Sequence, residues 1–376
     1  MSHTSRDEDV PTLPSPDAVA PWGARKLPLT GRWSEDILGA PFQARTLPLE
    51  RDEEGKVVAT LVRLKPTEKK RLWRRKKRFA LLYVHGRNDY FFQTEAAKRF
   101  DEMGAAFYAL DLRKFGRSLR PWQTIGFTDD LTVYDEELNM AVETIEQEHP
   151  GLPIVAFAHS TGGLIVALWA WRTHQNLKAI IFNSAWLELQ SMTAIRPTLE
   201  RVMRGLAGVN PRATVIAESK VDTYHRSLSK GWGTSGFEIP HSVAQKPDDP
   251  SMVGWDLFPE WKKPFSYPVP AAWLNAVLVG HRLIETEVVL DCPVLSLAST
   301  KAGSEDDWVS DVFNSDIVLD PDLVSARAAT ISRNVTIARL PGKHDLLLSD
   351  PPVREKLYEF VENWLDYAFT LTPEDD

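Results

Sequence analysis

Short, almost uninterrupted apolar segments alternate along this chain with longer ones whose apolar residues recur every third or fourth position. The short segments run from Phe79 to Val84, Ala105 to Leu110, Pro153 to Ala158, Lys178 to Phe182 and Cys292 to Leu297, and the alternation ends with a further strand read from Val335 to Leu340. A strand buried on both faces reads this way, whereas a strand with one wet face alternates apolar and polar residues. Between them, Leu131, Tyr134, Leu138, Val142 and Ile145 form one helical stripe. Further helices are expected from a cap at Asn88-Asp89 to near Met103-Gly104, from Ser160 to about Arg172, and from about Val353 to Phe369. Strands separated by helices of this length imply an α/β fold, a mainly parallel sheet with helices on both faces. Upstream, Phe42 to Leu64 reads as two paired strands turning at Glu53-Glu54-Gly55-Lys56.

Two regions break the rhythm. Residues 1 to about 20 are rich in Ser, Pro and Asp and are expected to be a disordered tail. From about Trp186 to Glu287 the pattern gives broken helices and loops, so 187–287 is read as an insertion, a cap, into an α/β core made of 21–186 and 288–376. Within it Gly231-Trp232-Gly233-Thr234-Ser235-Gly236 spells a dinucleotide-binding pattern, but no strand precedes it and Phe237 to Pro240 follows where a helix should start; it is a loop.

Composition narrows the function. The chain has 376 residues, 43% of them hydrophobic, enough for a large core. With 44 Lys plus Arg against 52 Asp plus Glu, the net charge is 44 − 52 = −8, which argues against nucleic acid as a partner. The single cysteine, Cys292, rules out an internal disulfide, and no histidine spacing suits a metal. No metal and no cofactor are therefore expected. The amino terminus lacks an apolar signal region and no apolar run reaches the ~18 residues of a membrane span, so a cytoplasmic protein is expected. The basic run from Lys69 to Arg78 reads as a solvated turn, with peripheral contact to anionic lipid as the alternative. Oligomeric state is left open.

The sharpest chemical signal is Ile154 to Gly163, with Ala158-His159-Ser160-Thr161-Gly162 at its centre. A nucleophilic serine on a tight strand-to-helix turn needs small neighbours, and the usual pattern is G-x-S-x-G; Ala158 replaces the first glycine. The rival reading is a Ser160 that only caps the following helix. An acyl-transfer enzyme also needs two N–H groups for its tetrahedral oxyanion. Thr161 would supply one, and the loop His85-Gly86-Arg87-Asn88 the other.

Val84-His85-Gly86, Asp111-Leu112-Arg113-Lys114-Phe115-Gly116-Arg117-Ser118 and His159-Ser160-Thr161-Gly162-Gly163 together resemble the monoacylglycerol lipase and lysophospholipase-like, serine aminopeptidase S33-type branch of the α/β-hydrolases. The resemblance covers most of the chain from about residue 42. Lys114 stands where that family's D-x-x-G-x-G-x-S motif has its first glycine. The resemblance implies an α/β-hydrolase fold with an inserted helical cap, and a triad ordered serine, acid, histidine. His344, just after the last strand, is the histidine. The acid should follow the strand ending at Leu297, where Glu305, Asp306, Asp307, Asp311, Asp316, Asp320 and Asp322 all stand. Asp316 fits a small-x-D-x-hydrophobic segment before a helix started by Asp320-Pro321; Asp306 and Asp307 are the alternatives. Arg87 and Thr161 are assigned to the oxyanion hole. Nine aromatic residues between Leu187 and Leu290 suit an apolar pocket wall or the cap's own core. His85, Trp186, Trp255 and Trp273 are the candidate substrate contacts. The expected activity is hydrolysis of a small-molecule carboxylic ester or lipid with an apolar part. Amide or peptide cleavage, acyl transfer by the same groups, and a non-catalytic binding protein are the rivals.

Overall fold

The computed structural model describes residues 30–65, 77–189, 196–218 and 222–371. The tail expected over 1–20 and all of the basic run except Lys77 and Arg78 lie outside them; those two pair with Asp101 and Asp366.

Nine strands form one sheet. In chain order they are β1 (Ser34–Glu35), β2 (Phe42–Asp52), β3 (Gly55–Leu64), β4 (Phe79–Val84), β5 (Ala105–Asp111), β6 (Ile154–His159), β7 (Ala179–Asn183) and, after the insertion, β10 (Val294–Ser299) and β11 (Val335–Leu340). The spatial order is β1-β2-β3-β5-β4-β6-β7-β10-β11, antiparallel up to β5 and parallel from there on. The β2–β3 hairpin turns where expected, on Gly55 at φ 104°.

Both faces of β4, β5, β6, β7 and β10 are buried, which is why they read as mostly apolar runs, whereas the edge strand β11 is only partly buried and carries Thr336 and Arg339. Along β4, Ala80, Leu82 and Val84 enter one core, and Phe79, Leu81 and Tyr83 enter the other. The first core is closed by α2 (Tyr134–Glu148) and α3 (Thr161–Arg172), with the whole Leu131-to-Ile145 stripe buried in it. The second is closed by α1 (Thr94–Glu102) and by α9 (Pro351–Thr370). The sheet places the functional loops. The chain runs from β4 to β5 on one side and returns to β6 on the other side of β4. This reversal opens a crevice at the carboxyl ends of β4 and β6. Val84 pairs with Ala158, so the loops beginning at His85 and Ser160 leave the sheet side by side.

The helix expected from Asn88-Asp89 starts later, at Thr94 after Gln93. Asn88 sits at φ 54°, a left-handed conformation incompatible with a helix start. The departure at Lys114 also has a physical account. It adopts φ 60°, as the family's glycine would, and its ammonium is buried against Asp52 (2.5 Å) and Glu54 (2.7 Å), interactions that offset the backbone strain.

The insertion carries α4 (Arg196–Val209), β8 (Thr214–Ile216) paired with β9 (Val269–Pro270), α5 (Thr223–Lys230), two four-residue helices, α6 (His241–Ala244) and α7 (Pro250–Val253), and α8 (Ala271–Thr286). The dinucleotide-like glycines are a 3-10 turn, not a phosphate loop. The regular α8 differs from the broken structure expected there. Its Gly280 lies against Leu131, Leu164 and Leu168, so the last helix of the insertion packs into the main core. Among the described residues no helix is long and apolar enough to cross a membrane.

One buried ion network ties the amino-terminal strands to this frame. The guanidinium of Arg117 donates to both oxygens of Asp36 (2.7 and 2.8 Å), to Asp111 (2.8 Å) and to the Phe91 carbonyl (3.0 Å), with every charged partner buried. Removing the cation leaves two buried carboxylates unpaired, so Arg117→Met is expected to cost about 3–5 kcal/mol. Urea unfolding monitored by tryptophan fluorescence measures this. A loss below about 1 kcal/mol would mean the network adds little to stability.

Candidate active site

Ser160 joins β6 to α3 in a conformation side chains rarely adopt, φ 51° and ψ −122°. Its neighbours explain the run of small residues. A Cβ at Gly86 would lie 2.8 Å from that of Ser160, one at Gly162 would collide with the His85 carbonyl, and one at Gly163 with Ala185. Ala158, by contrast, is accommodated in the core, so the first glycine of the usual pattern is dispensable here. Ser160 stands at the helix N-cap, but its side chain makes no capping bond, which removes the main rival reading of this residue. It remains partly exposed among buried neighbours.

His344 follows β11, and its Nδ1 lies 2.9 Å from Oδ2 of Asp316. Asp316 is 1% exposed, and its other oxygen accepts from the backbone N–H groups of Val318 (2.9 Å) and Leu319 (2.7 Å). The long stretch separating Asp316 from its strand is closed by pairing. Ala302 bridges Asp316, the Asp316 N–H donates to the Lys301 carbonyl, and its carbonyl accepts from Gly303. Asp316 therefore returns to the end of β10. The alternatives Asp306 and Asp307 are exposed. The ring of His344 packs on that of His159, the residue before Ser160, at 4.8 Å between centroids, which sets the imidazole beside the turn. Tyr224 from α5 meets its edge at 5.7 Å.

Arg87 and Thr161 begin the two converging segments. Thr161 is the first residue of α3, among the N–H groups that a helix leaves without intrahelical partners. A cavity of about 10 Å³ opens beside them, room for one water. Its lining includes His85, Arg87, Leu131, Tyr134, Thr161 and Trp273. Of the expected substrate contacts, His85 and Trp273 border this cavity. His85 is fully buried, and its Nε2 accepts from the Leu112 N–H. Trp186 lies behind Trp273, stacked on it at 6.1 Å. Trp255 is not at the cavity: it packs on Phe92, in a cluster with Tyr90, Leu228, Trp261 and Leu348, with the Arg354 guanidinium over its ring. Trp232, likewise, stacks on Phe313 and donates to Asp350.

Asn183 was not singled out from sequence, yet it joins three parts of the site. Its carbonyl accepts from the Ser160 N–H (3.1 Å) and bonds His159 Nδ1 (3.0 Å); its side chain donates to Asp345 (2.7 Å) and accepts from the Leu346 N–H. The available signal was a lone asparagine ending the apolar run Ala179–Asn183. Burial holds His159 below the usual histidine range, and its Nδ1 proton goes to the Asn183 carbonyl. Asp89, His159 and Asp345 have ligand atoms within 4.8 Å of one another. Protein donors already engage this cluster: Lys262 pairs with Asp89, and Asn183, Gln93 and the Leu347 N–H bond Asp345. One Asp89 oxygen has no protein partner. A cation here would have to share Asp89 with the Lys262 ammonium.

Residues 75–261 match the model of a family described as serine aminopeptidase, S33. No curated protein matches the sequence. Among solved structures, a carboxyl esterase from Bacillus coagulans in complex with glycerol superposes with a TM-score of 0.55 at 16% identity, covering 86% of this chain and 98% of that one. A soluble variant of monoglyceride lipase from Saccharomyces cerevisiae gives 0.54 at 15% identity, over 86% and 96%. A Paleococcus ferrophilus monoacylglycerol lipase gives 0.51 at 18% identity, over 78% and 96%. At such identities the likeness establishes the fold alone.

Proposed function

The chain belongs to the α/β-hydrolases, on their serine aminopeptidase S33 branch, and on that premise we propose that it is a serine hydrolase cleaving a small carboxylic ester. The observation that carries the reading is the Asp316–His344 hydrogen bond, with the imidazole packed beside a strained, partly exposed Ser160. In this reading His344 takes the Ser160 hydroxyl proton on Nε2 as the oxygen attacks the ester carbonyl. Asp316 holds the ring in the tautomer that leaves Nε2 free, and stabilises the imidazolium. The oxyanion meets the N–H groups of Arg87 and Thr161, each worth about 3 kcal/mol in the transition state. His344 then protonates the departing alcohol, and water releases the acyl group by the same steps in reverse. Residues 187–287 serve as the cap over this crevice.

The cavity bordered by Leu131, Tyr134 and Trp273 has room for only one water, so in this reading an acyl group enters it only as these side chains give way. Trp273→Ala is expected to shift the preferred nitrophenyl ester toward longer acyl chains, while hydrolysis of the acetate persists, because the change removes wall and not machinery. Trp273 is also buried in the core, so a drop in melting temperature should accompany the shift. An unchanged chain-length profile in a folded variant would place the acyl pocket elsewhere. Amide cleavage is the reading that the family description favours second. Aminoacyl nitroanilides assayed beside nitrophenyl esters separate the two.

A further inference from the structure

The loop that would carry the oxyanion donor is held from the insertion side at every residue from 87 to 89. The Arg87 guanidinium donates to the carbonyls of Tyr267 (3.1 Å) and Pro268 (3.2 Å) and lies 4.0 Å over the Tyr267 ring. The Asn88 side chain accepts from the Lys263 N–H (2.8 Å) and donates to the Lys263 carbonyl (3.1 Å), as a neighbouring strand would. The Asn88 N–H donates to the Tyr267 hydroxyl (3.2 Å). The ammonium of Lys262 donates to Asp89 (2.9 Å) and to the Asn88 carbonyl (3.3 Å), forming an ion pair buried on both sides. These bonds accompany a left-handed backbone at Asn88, φ 54°, which only glycine and a few other residues adopt readily.

We propose that residues 262–268 of the insertion position the oxyanion hole, and that Lys262 is a positioning residue for the Arg87 N–H although it lies outside the α/β core. The inference rests on the ester-hydrolase reading given above. Asp89 is buried and its second oxygen has no protein partner, so the Lys262 ammonium is the charged group paired with it there. Take the ammonium away and a buried carboxylate is left without its ion-pair partner, which moves the loop two residues from Arg87. A donor displaced by about 1 Å loses on the order of 100-fold in rate, because the bond matters only in the transition state. The cap and the chemistry are then coupled.

The test uses the full chain with Lys262→Met and Asn88→Gly. The glycine tolerates the left-handed backbone, removes no buried charge, and deletes both Lys263 bonds, so it remains informative should Lys262→Met fail to fold. With phenyl acetate both variants should lose about 10- to 100-fold in kcat and in kcat/KM alike, with KM nearly unchanged. Affinity for a trifluoromethyl ketone, whose adduct needs the oxyanion donors, should fall by the same factor, and Lys262→Arg should recover part of the loss. A merely structural clamp would lower the melting temperature or raise KM, and leave kcat of the folded protein alone. An active wild type whose two variants keep kcat within about threefold overturns this inference and spares the ester-hydrolase reading. A wild type that hydrolyses no ester and forms no ketone adduct overturns both.

Discussion

Ser160→Ala should abolish phosphonate labelling and lower kcat for a nitrophenyl ester by about 10⁶, the scale on which a serine hydrolase depends on its nucleophile. The expectation follows from position, because among the described residues Ser160 alone combines the turn after β6, partial exposure and a histidine–carboxylate pair beside it. The fold should survive. Ser160 makes no helix-capping bond, and alanine inherits the same backbone angles, so the melting temperature should move little. Ser160→Gly is equally inactive in this account, yet more stable by about 1 kcal/mol or more, because glycine adopts φ 51° without strain. Intact mass after phosphonate treatment, with peptide mapping, checks the first claim and thermal melts the second. Labelling that persists in Ser160→Ala would place the nucleophile elsewhere.

Asp316→Asn should lower kcat by about 10⁴ while the protein stays folded. One oxygen of Asp316 accepts two backbone N–H groups, from Val318 and Leu319, and these would fix the oxygen of the asparagine in the same place. Its NH₂ would then face Nδ1 of His344, where the carboxylate oxygen lay at 2.9 Å. Two donors cannot meet, so the imidazole must carry its proton on Nε2, the atom required to receive that of Ser160. Asp306→Asn and Asp307→Asn change exposed side chains and should leave kcat within about twofold. Steady-state kinetics on the three variants decides; a crippled Asp306→Asn or Asp307→Asn beside an active Asp316→Asn would mean that another carboxylate orients His344.

Local patterns in the chain were sufficient for the sheet, the turn at Ser160 and the place of His344. Burial on both faces makes β4, β5, β6, β7 and β10 mostly apolar, and crowding against His85 and Ala185 demands glycine at 162 and 163. The apolar runs are properties of residues near one another in sequence. The carboxylate that meets His344 was legible only as several candidates, because what brings Asp316 there is the pairing of Ala302 with it across a loop. Helix α1 was expected at Asn88-Asp89 on capping chemistry, but that side-chain chemistry is directed to Lys262 and Lys263, far along the chain. The same limit applies to the tryptophans: composition made Trp232, Trp255, Trp261 and Trp273 equivalent, and packing puts only Trp273 of these four at the cavity, with the others in clusters of their own. What the sequence by itself determined was therefore the strand–helix order and the residues forced by local backbone geometry. Which distant side chains meet at Ser160, and which part of the insertion holds the loop at Arg87, was decided by tertiary structure, since a contact between residues 175 apart leaves no periodic trace in either segment.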